Sequence, residues 1–181
     1  SFSNSTWSFC SHVNISIKMT TTILELFEVS AWAGIAAVGF GILFNIPRKA
    51  ILTVFLLGFG AGFIKFVLLH YNINIVLASL IAASFVGILS LPLAHGIHQP
   101  PVVFSIPAVI PMIPGYYAYE MVLSIMSFTF LEKDDSKRLV FMEAIFSNGF
   151  TMLFILISLT IGVSLPLLLL RKHTAKRVDL R

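Results

Sequence analysis

A few ionisable or strongly polar side chains sit in stretches otherwise apolar enough for lipid: Lys65, Glu120, Glu143 and Asn148. A charged group at mid-bilayer costs about 2.5–3.5 kcal/mol on insertion scales, so such groups face a cavity, find a partner or reach back to the interface. Lys65 has both options, because only four apolar residues separate it from His70. Spacings of seven and three put Gly58 and Gly62 near its face, which points to the bundle interior. Snorkelling to the interface is the alternative. Glu120 is the better candidate for carrying a proton or a cation. Glu143 and Asn148, in the last apolar segment, are candidates to line a path.

Glu120 closes the stretch "VVFSIPAVIPMIPGYYAYE", which holds Pro107, Pro111 and Pro114. Each proline in a helix interior costs about 3 kcal/mol or more. In hydrocarbon, broken backbone is tolerated only where protein buries it or where it lines an aqueous cavity. The stretch is expected to form a short helix or re-entrant turn up to about Ile113, a break, and a new helix from about Tyr116. Gly115 adds a residue of free backbone conformation. Discontinuous helices of this kind make transporter sites: freed carbonyls take cations, and the new helix N-terminus takes carboxylates. Ser105, Pro107, Pro111, Pro114, Gly115, Tyr116, Tyr119 and Glu120 are therefore the candidate substrate-binding residues, with Lys65, Glu143 and Asn148 as coupling or pathway residues. A kinked helix that merely packs is the alternative.

The rest of the chain sets the medium. Of 181 residues, 57% are hydrophobic and 11% charged, and the mean hydropathy is +0.95. A soluble domain carries about 25% charged residues, so this chain cannot cover a water-facing surface of its own size. Its apolar runs are long and do not alternate, which indicates helices rather than a barrel. Cys10 is the single cysteine, so neither an intrachain disulfide nor a cysteine metal site is expected. His95 and His98 lie three apart without a carboxylate, a weak basis for a metal. No phosphate loop, nucleophile motif or paired acids are present, so neither an enzyme nor a cofactor is expected, and the basic residues flank apolar segments rather than form a nucleic-acid face.

Spanning helices need roughly 20 apolar residues. They are expected at about Ile23 to Phe44, stopped by Pro47; Ala50 to Leu69; Ile73 to Ala94; Val102 to Leu131, interrupted; and Leu139 to Leu170. The last is too long for a simple crossing and is expected to tilt, to start outside the hydrocarbon, or to break near Asn148-Gly149. The polar stretches "HGIHQPP" and "EKDDSKR" separate the last three. The fold class is thus an all-α integral membrane protein of about five spans, the fourth broken by the proline motif. Arg171, Lys172, Lys176, Arg177 and Arg181 place the C-terminus inside by the positive-inside rule, and five spans then place the N-terminus outside. Residues 1–18 are polar and precede Met19; they are expected to be an extension outside the native domain, leaving 19–181 as the membrane domain. Small residues four apart (Ala33, Ala37 and Gly41; Gly58 and Gly62; Ala78 and Ala82) are suited to close helix packing, internal or against a partner.

Three passages, "FNIPRKA", "PPVVFSIPAVIPMIPGYYAYE" and "GVSLPLLLLRK", resemble the threonine/serine exporter family, and more narrowly its short, membrane-only form. The resemblance covers roughly Thr22 to Lys172. It implies a two-component exporter in which a larger membrane subunit with a cytosolic domain joins this chain, the pair corresponding to a single chain of about ten spans. It further implies proton-motive-force-driven export of small hydroxy amino acids, or of small carboxylates in some members, across a prokaryotic inner membrane. The motif positions it carries over are Phe104, Pro107, Pro111, Pro114, Gly115 and Tyr119. Two halves of five spans would lie in opposite orientations, as in inverted-repeat transporters. A homo-oligomeric channel or carrier, and a non-transporting assembly subunit, are the rival readings.

Overall fold

The small-residue stripes decide how the helices meet. A computed structural model describes residues 23–97, 99–131 and 135–175. Among the described residues the chain forms α1 (Ile23–Leu43), α2 (Ile51–His70), α3 (Ile75–Ile97), α4 (Val102–Val109), α5 (Gly115–Met126) and α6 (Asp135–Ala175), with no strand. The expectations that fall on residues 1–18, Met19, His98, Lys176, Arg177 and Arg181 lie outside the described residues, as do the side chains of His95, Arg171 and Lys172.

Gly58 of α2 faces Ala37 of α1, and a β-carbon on Gly58 would lie 2.5 Å from that of Ala37. Gly62 meets Ala33 in the same way at 2.9 Å. On the other side of the molecule α3 and α6 pack closely, with Gly162 against Ala83 and Gly87 against the Val163 carbonyl. Ala78 and Ala82 are fully buried. The stripes therefore serve internal packing, which in lipid rests on close backbone approach rather than on hydrophobic drive.

α1, α2, α3 and α6 contain segments long and apolar enough to cross a membrane: Glu25–Leu43, Arg48–His70, Ile75–Ala94 and Arg138–Leu169. Val102–Met112 and Gly115–Phe130 make a fifth when taken as one broken span, and they meet at 48°. The chain is a multi-pass helical membrane protein, with four or five spans among the described residues.

Some boundaries differ from expectation, each for a local reason. α1 ends before Pro47, because Asn45 adopts the left-handed conformation at φ 54°. Its N–H reaches the Ile42 carbonyl, and the Ile46 N–H reaches the Gly41 carbonyl. That is a Schellman cap, with Ile46 folded onto Gly41. Asn72 repeats the pattern after α2. α3 runs through Pro92 to Ile97, beyond the expected end at Ala94 and into the stretch expected to be a polar break. α6 passes Asn148-Gly149 without interruption. Its length, roughly 61 Å at 1.5 Å per residue, exceeds the hydrocarbon core, so it extends beyond the membrane instead of breaking.

Candidate functional site

α4 is short, apolar and enclosed. Pro101 precedes it, and Phe104, Ser105, Pro107 and Ala108 are its buried residues. The helix packs against α1, α2 and α3. Pro107 removes a donor on the face that neighbouring helices cover, whereas Val102 and Ile106 lie on the open face. Ile106 and Ile113 point outward.

The break follows from the last two prolines. A 3-10 turn over Ile110–Met112 closes with the Ile113 N–H on the Ile110 carbonyl at 3.0 Å. Ile113 then becomes extended, with ψ 133°, the conformation imposed on a residue before proline. Pro114 has φ −77° and ψ 62°, and the Gly115 N–H donates to the Ile113 carbonyl at 2.8 Å. This is an inverse γ-turn. The α5 ladder starts only with the Ala118 N–H on the Pro114 carbonyl at 3.3 Å. The chain has therefore turned away from the Met112 carbonyl before α5 could use it.

Lys65 takes up that carbonyl. Its ammonium donates to the Met112 oxygen at 3.2 Å, across 47 residues of sequence. Met112 is buried and Lys65 half-buried. The snorkelling alternative is thus not the one adopted: the ammonium points at the break. About 15 Å of helix, at 1.5 Å per residue, separates Val102 from Met112, about half the length that a 30 Å core requires. Directly beyond the break lies the N-terminus of α5, which no side chain caps. Lys65 and this helix end both supply positive potential at the break.

The structure sorts the other candidates. Ser105 is 1% exposed and its hydroxyl has no hydrogen-bond partner. Several other hydroxyls in the helices bond back to a carbonyl, as Ser124 does to Glu120 and Ser90 to Gly87. Pro107 and Pro114 are buried and Pro111 half-buried. Gly115 has no positive φ, and a β-carbon added to it would meet nothing within 4 Å. Its conformational freedom is therefore not what makes the turn; Pro114 is. Tyr116 and Tyr119 are exposed, at 53% and 60%. Tyr117, between them, packs against the core. Glu120 is half-buried.

α5 and α6 form an antiparallel hairpin. Gly149 lies beside Met121, and the Arg138 guanidinium stacks over the Phe128 ring at 4.7 Å. That register sets Glu143 near the level of Ser127, roughly 18 Å along α5 from Gly115 at 1.5 Å per residue. Glu143 is exposed and Asn148 half-buried. The same register sets Asn148 beside Val122, close to the level of Glu120, and leaves Glu143 farther from the break. The residues that spacing does not single out are Met112, whose contribution is a backbone carbonyl, and Tyr117. A Pro-Gly pair two residues after Met112 is the signal that its carbonyl loses its helical donor.

A carbonyl outside the helical ladder, the lysine ammonium that donates to it and an uncapped helix N-terminus form a polar point inside an apolar bundle. Among the described residues no group of three or more His, Cys, Asp or Glu side chains is placed to hold a metal. The arrangement can accept a donor at Met112 and hold an anion between Lys65 and α5.

The family described as "Threonine/Serine exporter, ThrE" matches residues 30–169. An uncharacterized protein of Haemophilus influenzae is 33% identical over 151 residues, covering 83% of this chain and 50% of the relative. The chain spans about half the length of this curated relative. No solved structure matches it.

Proposed function

The chain belongs to the threonine/serine exporter family, and from that membership we propose that it is the small membrane subunit of a two-component secondary exporter. Its substrates are small amino acids such as threonine and serine, or small carboxylates. Its site is the break between α4 and α5, where the Met112 carbonyl leaves the helical ladder. That single feature carries the reading, because irregular backbone at membrane depth is kept where it meets a polar solute or is buried by protein.

The chemistry follows from the parts. The first turn of α5 presents N–H groups and a partial positive charge to a carboxylate. Ser105 offers an unpaired hydroxyl from the buried face of α4. Glu120, about one and a half turns into α5, is the group proposed to take up the coupling proton. A larger membrane subunit with a cytosolic domain is proposed to complete the pathway. The proposed location is the inner membrane of a prokaryote.

Export tests this. Cells lacking the chain and fed threonine- or serine-containing peptides should accumulate the free amino acid, and the restored gene should relieve it. Unchanged intracellular pools of threonine, serine and dicarboxylates would remove the proposal. Purification from native membranes should bring down a second, larger membrane protein.

A further inference from the structure

The contact between Lys65 and Met112 says more than that the break is polar. We propose that Lys65 is the carboxylate-binding residue of this site, and that the Met112 carbonyl, which accepts from Lys65 in this structure, is the docking point for the substrate's ammonium. The proposal rests on the export reading above and deepens it.

An ammonium has three donors. One is used on Met112, at 3.2 Å. Among the described residues no carboxylate forms an ion pair with Lys65. A half-buried cation in a spanning helix, held by one neutral carbonyl, is under-compensated, and charged groups at such depth mark substrate or ion pathways.

The neighbouring groups say which kind of anion fits. The Met112 carbonyl is an acceptor, and the turn at Ile113–Gly115 sets it beside the positive end of α5. Acceptor and positive end are therefore separated by a single tight turn. An α-amino acid carries its ammonium and its carboxylate on one carbon, so it can answer both at once. Its ammonium replaces that of Lys65 on Met112, and the released Lys65 turns to the carboxylate. Lys65 and the substrate's ammonium are thus alternative donors to one carbonyl. A dicarboxylate offers Met112 no donor and leaves an unpaired carbonyl facing negative charge, which is a cost in a low-dielectric site. The exchange makes and breaks only hydrogen bonds and ion pairs.

The test uses the chain in native membranes with the subunits that accompany it. Binding of L-threonine, L-threoninol (no carboxylate), 3-hydroxybutyrate (no ammonium) and succinate is measured for the parent and for Lys65→Gln. L-threonine should bind best to the parent. Lys65→Gln should weaken L-threonine about tenfold or more, as expected for loss of a charged hydrogen bond, and leave L-threoninol unchanged or bound more tightly, because the ammonium that competes for Met112 is gone. Equal weakening of both probes, or none, would overturn the proposal. Should Lys65→Gln not accumulate, the parent decides: acylation of the Lys65 amine, read by mass spectrometry, should be slowed by L-threonine and not by L-threoninol. Equal protection, or none, would overturn it. Threonine transport in the same vesicles separates the two ideas. Lys65-dependent binding without transport retires the export reading alone, whereas transport with binding indifferent to Lys65 retires this one alone.

Discussion

Gly58 of α2 and Ala37 of α1 meet so closely that a side chain at Gly58 has no room, since a β-carbon there would sit 2.5 Å from the β-carbon of Ala37. Overpacking of this sort costs about 1–3 kcal/mol. Gly58→Val should lower the thermal midpoint in detergent and the yield of folded protein. Gly39→Ala is the matched control, since nothing lies within 4 Å of that position. Equal melting of the two variants would mean that α1 and α2 are not in contact at Gly58.

Asn45 sits at φ 54°, where a β-branched side chain is strained by about 1–2 kcal/mol. Asn45→Ile should destabilise, and Asn45→Gly should be neutral or close to it, because both Asn and Gly accept the left-handed cap. Denaturation in mild detergent, scored by loss of helical circular dichroism, compares them. This position is also where the sequence misleads. Pro47 is the conspicuous breaker, yet the helix has already ended through a single Asn conformation that composition does not announce.

The two residues of the Pro-Gly pair should behave differently. Pro114 sets the inverse γ-turn, so Pro114→Ala should let the ladder continue, reclaim the Met112 carbonyl and abolish transport while the protein still assembles. Gly115→Ala meets open space and no positive φ, and should keep activity within about twofold, since helix propensity favours Ala over Gly. Transport assays alongside a co-purification check separate loss of function from loss of assembly. If Gly115→Ala is the damaging change, the turn belongs to Gly115 and not to Pro114.

These outcomes also mark what the residues reveal unaided. The break near Ile113 and the restart near Tyr116 are legible because proline chemistry is local. The medium is legible because charge is scarce. The inward face of Lys65 is legible from its spacing to Gly58 and Gly62, but its partner is not, because that partner is 47 residues away and periodicity does not name the residue met on another helix. Tyr117 stays hidden for a related reason: the γ-turn fixes the rotational phase of α5, and that phase turns Tyr117 inward and Tyr116 and Tyr119 outward. The uninterrupted course of α6 past Asn148-Gly149 shows the limit of reading a lone Gly as a breaker. Gly149 is there to let Met121 approach, with 3.1 Å between the sulfur and an ideal β-carbon.

Glu120 and Glu143 separate in function by their distance from the break. Glu120 lies about one and a half turns into α5 and is half-buried, whereas the Met121–Gly149 register carries Glu143 roughly 18 Å along the hairpin from Gly115 at 1.5 Å per residue. A proton carrier must sense the substrate's charge, and over that distance the pairing is largely screened where water reaches the helix surface. Glu120→Gln should therefore abolish transport driven by a pH gradient while counterflow, which needs no net proton movement, survives. Glu143→Gln should leave both modes within about twofold, as expected for an exposed site away from the chemistry. Vesicles loaded with labelled threonine, assayed with and without an imposed pH gradient, read the two modes in one preparation. Loss of gradient-driven transport in Glu143→Gln but not in Glu120→Gln would transfer the coupling role to the α6 carboxylate and put the proton path on the outer face of the hairpin.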